Sequence, residues 1–244
     1  MSPRVGFAFV VAACAAIFAG SAGAVVGVAS APSAAAPVSA LVAVLARGRG
    51  YCTGVAISRD AVLTAAHCVA KPGDLRVHFK DAAGRDVLAK VRSVAIHPRY
   101  RAEAPRRRVA SIDLAILRTA LPLPARIVPA RLAGPRTLAL GDKLEIAGIG
   151  LGVEGDGSTG GPTRAARLEV APLLSPILVT LRAPGGAFLG ACEGDSGGPI
   201  YDPADGAVVG IVDWTTGPGV KNCGALTQGA LVAPQAGWIA RAAR

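Results

Sequence analysis

The chain has 244 residues and is 52% hydrophobic, enough to bury a full core as one large unit or two small ones. Its 31 glycines and 18 prolines, with aromatics at only 4%, break the apolar residues into many short runs, which favours an all-β protein over a helical one. The formal charge is +10. No nucleic-acid-binding motif accompanies it, so the excess is read as a basic solvated surface that also suits acidic substrates or anionic envelopes.

At the N-terminus, Arg4 is a minimal basic region and Val5 to Gly20 is an apolar run. Ala22-Gly23-Ala24 then fits the small-x-small pattern of a cleavage site. Residues 1–24 are expected to be a signal peptide and residues 25–244 a secreted or periplasmic domain, monomeric. The uncharged stretch from Val5 to Ala46 also allows a retained anchor, but Gly and Ala dominate after Gly20, which suits cleavage better. Val11-Ala12-Ala13-Cys14 is similar to a lipobox, yet the apolar run continues through Ile17 and Phe18, where a lipoprotein turns polar. Membrane contact is expected only through the signal or a lipid on Cys14. Removing residues 1–24 takes away only Arg4 and leaves a charge of +9.

Strands are expected at Val38 to Leu45, Tyr51 to Ile57, Ala61 to Thr64, Leu75 to Phe79 and Val87 to Ile96, with a hairpin turn at Arg47-Gly48-Arg49-Gly50. Arg99 to Arg108 is a basic loop carrying Arg101, Arg106, Arg107 and Arg108, and Asp113 heads an apolar run that follows it. Ala120 to Pro135 holds four prolines, a density that opposes regular pairing, and reads as a linker between two halves. In the second half, strands are expected at Lys143 to Ala147, Arg167 to Val170, Ile177 to Leu181, Pro199 to Tyr201, Ala207 to Trp214 and Ala230 to Val232. A helix is expected over Pro234 to Arg244, with Trp238 and Ile239 inward.

Without Cys14, four cysteines remain, an even number in an exported chain, which suits disulfides in any of three pairings. No Cys-x-x-Cys spacing exists, so a zinc site is disfavoured and no metal is expected.

Chemistry concentrates at Cys192-Glu193-Gly194-Asp195-Ser196-Gly197-Gly198-Pro199. Glycines around one serine force a tight turn and leave backbone N–H groups free beside a hydroxyl, which is what a nucleophile and an oxyanion site require. Leu63-Thr64-Ala65-Ala66-His67-Cys68 supplies a histidine, and Asp113-Leu114-Ala115-Ile116-Leu117 an acid. The histidines are His67, His78 and His97, all upstream of Ser196, which excludes the α/β-hydrolase order. The sole acid before His67 is Asp60, in a turn, which disfavours the subtilisin order.

These stretches resemble the signatures of the chymotrypsin/trypsin family of serine proteases, and the resemblance covers roughly residues 25–244. It implies two antiparallel six-stranded β-barrels, about 25–121 and 136–244 around the linker at 122–135, with a short C-terminal helix. It implies hydrolysis of a protein or peptide substrate by Ser196, His67 and Asp113, an oxyanion hole from the N–H groups of Gly194 and Ser196, disulfides Cys52–Cys68 and Cys192–Cys223, and no cofactor. Val25-Val26-Gly27-Val28 is similar to the family's I-V-G-G, so the Val25 α-amino group would pair with Asp195. His97-Pro98-Arg99-Tyr100 matches a structural corner of the family, so His97 is not catalytic, and His78 points outward from its strand. At the specificity pocket, Gly190 stands where trypsins carry an aspartate, and Asp213-Trp214-Thr215 stands for S-W-G. No Arg/Lys preference is implied, and Thr215 narrows the entrance. Val28, Ile149 (for the Trp of G-W-G) and Asp213 depart from the pattern and support a second reading, a pseudoprotease that binds. An esterase on the same residues is a third.

Overall fold

The computed structural model describes residues 25–27, 36–48, 50–70, 73–107, 109–172, 175–217 and 221–244. The expected signal peptide with Cys14, and Val28, Arg49 and Arg108, lie outside the described residues, as does the side chain of Arg106.

Short apolar runs ended by Gly, Pro or charge become strands because each must bury one face and turn quickly. The first half contains β1 (Leu41–Ala46), β2 (Tyr51–Ala56), β3 (Ala61–Thr64), β4 (Leu75–Lys80), β5 (Asp86–Ile96) and β6 (Ala115–Thr119). They close into an antiparallel barrel in the order β1-β2-β3-β6-β5-β4. The second half repeats the design with β7 (Lys143–Gly148), β8 (Arg164–Val170), β9 (Leu178–Arg182), β10 (Pro199–Tyr201), β11 (Val208–Thr216) and β12 (Leu226–Leu231), closed in the order β10-β11-β12-β9-β8-β7. Closure removes the free edges that open sheets expose. The fold is the two-barrel architecture that the sequence resemblance implies.

Each barrel fills its interior with branched aliphatics: Val55, Leu63, Ile116 and Leu117 in the first, and Leu144, Leu168, Leu181 and Ile200 in the second, all fully buried. The first core continues across the seam to Val208, Ile211 and Ala230. The C-terminal helix α2 (Ala236–Ala242) docks Ile239 into that same cluster and sets Trp238 edge-on to His97, ring centroids 4.7 Å apart. His97 is a buried corner residue whose Nδ1 accepts the Arg99 N–H at 3.1 Å. His78 is partly exposed and bonds Asp86 Oδ1 at 2.9 Å. Among the described residues, no helix is long and apolar enough to cross a membrane.

Several boundaries differ from the sequence reading. The first strand begins at Leu41, because Val38–Ala40 close a 3-10 turn on Pro37, the Ala40 N–H reaching Pro37 O at 3.0 Å. The basic loop folds one helical turn, α1 (Ala104–Arg107). The last strand starts at Leu226 rather than Ala230; its polar Thr227 and Gln228 hid it, yet they pair with Thr215 and Trp214 of β11. Pro234 sits in a 3-10 turn, so α2 begins two residues after it.

The second barrel also buries a charged group. Glu145 on β7 accepts the Tyr201 hydroxyl at 2.6 Å and Arg167 through Nε (3.0 Å) and Nη2 (2.7 Å). Tyr201 is fully buried, so Tyr201→Phe removes a donor from a buried carboxylate. The expected loss is about 1–3 kcal/mol, read as a lower urea midpoint at unchanged m-value.

Candidate active site

The serine loop is built at the seam between the barrels. The Gly197 N–H donates to Val212 O at 2.7 Å, and the Val212 N–H returns to Gly198 O at 2.9 Å, docking the loop on β11. From the other barrel, the Thr53 N–H of β2 donates to Ser196 O at 2.9 Å. Gly197 has φ +85°, and a Cβ there would fall 2.1 Å from the Thr53 carbonyl oxygen. A glycine is therefore required for the barrels to meet beside Ser196.

His67 follows β3 in the 3-10 turn Ala66–Cys68. Its backbone N–H donates to Asp113 Oδ1 at 2.9 Å, and its Nδ1 lies 2.8 Å from Asp113 Oδ2. Both oxygens of Asp113 thus hold one histidine and set its ring tautomer, leaving Nε2 to exchange protons. Asp113 is positioned two residues before β6, where the Leu114 carbonyl accepts the His97 N–H. His67 Nε2 lies 3.7 Å from Cys68 Sγ, and no hydrogen bond joins it to Ser196 Oγ in this unliganded structure. Hydrogen bonds of this kind tighten when substrate binds.

The N–H groups of Gly194 and Ser196 donate to no acceptor among the described residues, whereas the intervening Asp195 N–H is taken by Cys192 O at 3.1 Å. Gly194 adopts φ +92°. The Glu193 carbonyl is fixed by the Leu151 N–H at 2.8 Å. In a trans peptide the N–H points opposite the C=O, so this contact directs the Gly194 N–H away from Leu151. Two free donors flank one hydroxyl, an arrangement able to stabilise an oxyanion.

Asp195 is fully buried and points away from Ser196, accepting the Gly150 N–H (2.8 Å) and the Cys192 N–H (2.9 Å). Burial pushes its carboxyl up to about 7, against the lowering by these two donors and by Arg164. Val25 is fully buried and packs with Ala191, Ile146 and Val212 of the second barrel. Val26 forms a β-bridge with Gly190.

The sequence reading places a specificity pocket at Gly190, Asp213, Trp214 and Thr215. Thr215 Oγ1 is within hydrogen-bond distance of Ala191 O (3.0 Å) and Leu226 O (2.9 Å), tying β11 to the segment before the serine loop and to the start of β12. Thr227, missed in the sequence because its strand was placed too late, is 1% exposed and accepts the Ala191 N–H at 3.0 Å. Its hydroxyl lies 3.0 Å from the position a Gly190 Cβ would take. Trp214 is exposed at 44% beside a bulge in the β11–β12 pairing.

That bulge holds Asp213, whose Oδ1 is enclosed without a hydrogen-bond partner. Burial, and then the charge of Asp113, raise its carboxyl well above the ordinary range. Of the orientations open to this side chain, the structure takes the one near Asp113 rather than solvent or the basic loop. Tyr100 borders the same acid, and burial with the Asp113 charge pushes its phenol up to about 12.

Disulfides join Cys52 to Cys68 and Cys192 to Cys223, closing separations of 16 and 31 residues and each worth about 3–4 kcal/mol on chain-entropy grounds. Donor atoms of Cys52, His67 and Cys68 lie within 4.8 Å of one another, but both sulfurs are spent in the disulfide, so the group offers no thiolate pair for a metal.

The family model described as Trypsin matches residues 25–239. The chain is 30% identical over 188 residues to an alkaline trypsin C of Manduca sexta, covering 67% of this chain and 68% of the relative. It is 31% identical over 216 residues to kallikrein-15 of Homo sapiens, covering 73% and 79% respectively. Among solved structures, mouse neuropsin, titled a serine protease, superposes with TM-score 0.67 at 24% identity, covering 83% of this chain and 93% of that one. A scabies mite inactivated protease paralogue superposes with TM-score 0.66 at 23% identity, covering 86% and 97%. These two likenesses establish the fold.

Folded Asp213 keeps its proton at pH values where the unfolded chain has lost it. The folded state then binds more protons, so this group lowers stability as pH rises from the ordinary carboxylate range toward its raised value. Asp213→Asn removes that dependence. The variant is expected to match the parent near pH 3 and to gain in Tm as pH rises, measured by thermal unfolding across pH.

Proposed function

The chain belongs to the trypsin family of chymotrypsin-like serine proteases, and from that premise we propose that it is an exported serine endopeptidase that cleaves after small, uncharged residues. The observation that carries the reading is the pair of free N–H groups on Gly194 and Ser196 flanking the serine, opposite a histidine held by both oxygens of Asp113. Disulfides require an oxidising compartment, which supports export with residues 1–24 as the signal.

Ser196 Oγ attacks the peptide carbonyl as His67 Nε2 takes its proton. Asp113 holds the imidazole and stabilises its cation. The carbonyl oxygen, now negative, accepts the N–H groups of Gly194 and Ser196. His67 returns the proton to the leaving amine, an acyl-enzyme remains, and water repeats the cycle in reverse order. Protonated Asp213 adds no charge beside Asp113, which makes its presence compatible with the cycle.

Cleavage behind Ala24 would free the Val25 α-amino group inside the second barrel, where Asp195 lacks an ion-pair partner among the described residues. The pair would lock the serine loop. Retaining Ala24, or Asp195→Asn, then leaves one buried charge unpaired at a cost of about 3–5 kcal/mol. Both changes are expected to depress kcat/KM in a peptide assay.

Thr215 and Thr227 bridge the pocket walls, and Gly190 offers no carboxylate to a basic side chain. Mapping of cleavage sites in a peptide library is expected to return Ala, Gly, Ser and Val before the scissile bond. A profile dominated by Lys or Arg contradicts the pocket assignment. Thr215→Gly with Thr227→Gly is expected to admit larger apolar residues, and Ser196→Ala to abolish cleavage throughout.

A further inference from the structure

β2 presents Tyr51 and Thr53 on one face, two residues apart. Both reach across the seam to a single residue of the second barrel, Ile149. The Tyr51 hydroxyl donates to Ile149 O at 3.0 Å, and the Ile149 N–H donates to Thr53 Oγ1 at 3.2 Å. Thr53 Oγ1 in turn donates to Gly194 O at 2.7 Å. Its backbone N–H holds Ser196 O at 2.9 Å, and its own carbonyl accepts the Thr64 hydroxyl at 2.9 Å. Thr53 is fully buried, so each of these groups has its partner inside the protein and none in water.

We infer that Thr53 is a positioning residue for catalysis: its hydroxyl anchors the Gly194 carbonyl while its backbone N–H anchors the Ser196 carbonyl, and these contacts orient the two residues whose N–H groups flank the serine hydroxyl. The argument rests on the protease reading above but concerns a residue outside the triad and the pocket. Gly194 sits at φ +92°, a region that glycine enters and leaves freely. Something must hold it there. Its carbonyl is anchored by the Thr53 hydroxyl alone among the described residues, and the preceding Glu193 carbonyl by Leu151, two residues after the Ile149 peptide that Thr53 also holds. The hydroxyl touches both loops at once: it accepts from the 148–150 loop with its lone pair and donates to the serine loop with its proton. A methyl in its place leaves the Ile149 N–H and the Gly194 C=O without a partner, and Gly194, whose N–H is the oxyanion donor, loses the anchor on its carbonyl side. Tyr51 closes the other side, its ring 2.8 Å from where a Gly194 Cβ would stand.

The test compares Thr53→Ser with Thr53→Ala, which differ by one oxygen atom, on a chromogenic peptide ester. Thr53→Ser is expected to stay within about threefold of the parent, whereas Thr53→Ala loses about 10- to 100-fold in kcat with little change in KM, as for displaced oxyanion donors. Affinity for a peptide boronate should fall in parallel with kcat/KM, while affinity for the product peptide stays constant. Equal kcat in the two variants overturns the inference, as does a loss in Thr53→Ala that appears in KM alone. If Thr53→Ala does not fold, Thr53→Val, which keeps the methyl volume, carries the same comparison; should neither fold while Thr53→Ser does, the hydroxyl is needed for folding and the positioning role is rejected. A parent enzyme that hydrolyses no ester and binds no boronate rejects instead the protease reading on which the inference stands.

Discussion

The site depends on one close approach: the backbone of β2 against the serine loop, with Gly197 pressed on the Thr53 carbonyl and the Thr53 N–H bonded to Ser196 O. Neither barrel holds the proposed triad alone. The first supplies His67 and Asp113, and the second supplies Ser196 with its two free N–H groups. Their relative placement is then set by how closely two backbones can approach, which a glycine without Cβ decides. The Cys52–Cys68 disulfide reinforces this junction from the first barrel, since Cys52 precedes Thr53 and Cys68 follows His67. Its partner Cys192–Cys223 does the same in the second, bracing the loop that leads into Ser196. Both covalent ties lie where small displacements cost most in rate.

Three buried carboxylates illustrate three treatments of the same penalty. Glu145 is neutralised by Arg167 and capped by Tyr201, a structural solution. Asp195 receives two backbone N–H groups, and burial still raises it to about 7, leaving it receptive to an ammonium. Asp213 has an oxygen with no partner and sits within reach of the Asp113 charge, so its carboxyl is held well above the ordinary range. The two of these carboxyls that burial raises, Asp195 and Asp213, lie beside Ser196 and Asp113, as perturbed groups commonly do at functional sites.

The chemistry was more legible than the boundaries. The barrels were readable because their strands are short, apolar and sharply terminated, and the serine loop because glycines crowd around one hydroxyl. His97, read as a corner residue before Pro98, is buried there against Trp238. Thr227 escaped notice because a strand containing Thr, Gln and Gly carries little apolar signal; its pairing with β9 and β11, not its own composition, makes it a strand. Thr53 was hidden for a different reason. Its role rests on contacts with Gly194 and Ile149, about a hundred residues or more away in the chain, and no local pattern announces such a partnership. Asp213 was visible as a departure, but whether it faced solvent or Asp113 depended on a β-bulge that spacing alone does not reveal.

The most direct measurement is the intact mass of the exported protein before and after treatment with a fluorophosphonate, with Ser196→Ala as control. The account predicts a chain beginning at Val25, a single phosphonyl adduct on the parent, and none on the variant. A folded, disulfide-bonded protein with that N-terminus that takes up no adduct would contradict it and leave the fold serving as a binding scaffold.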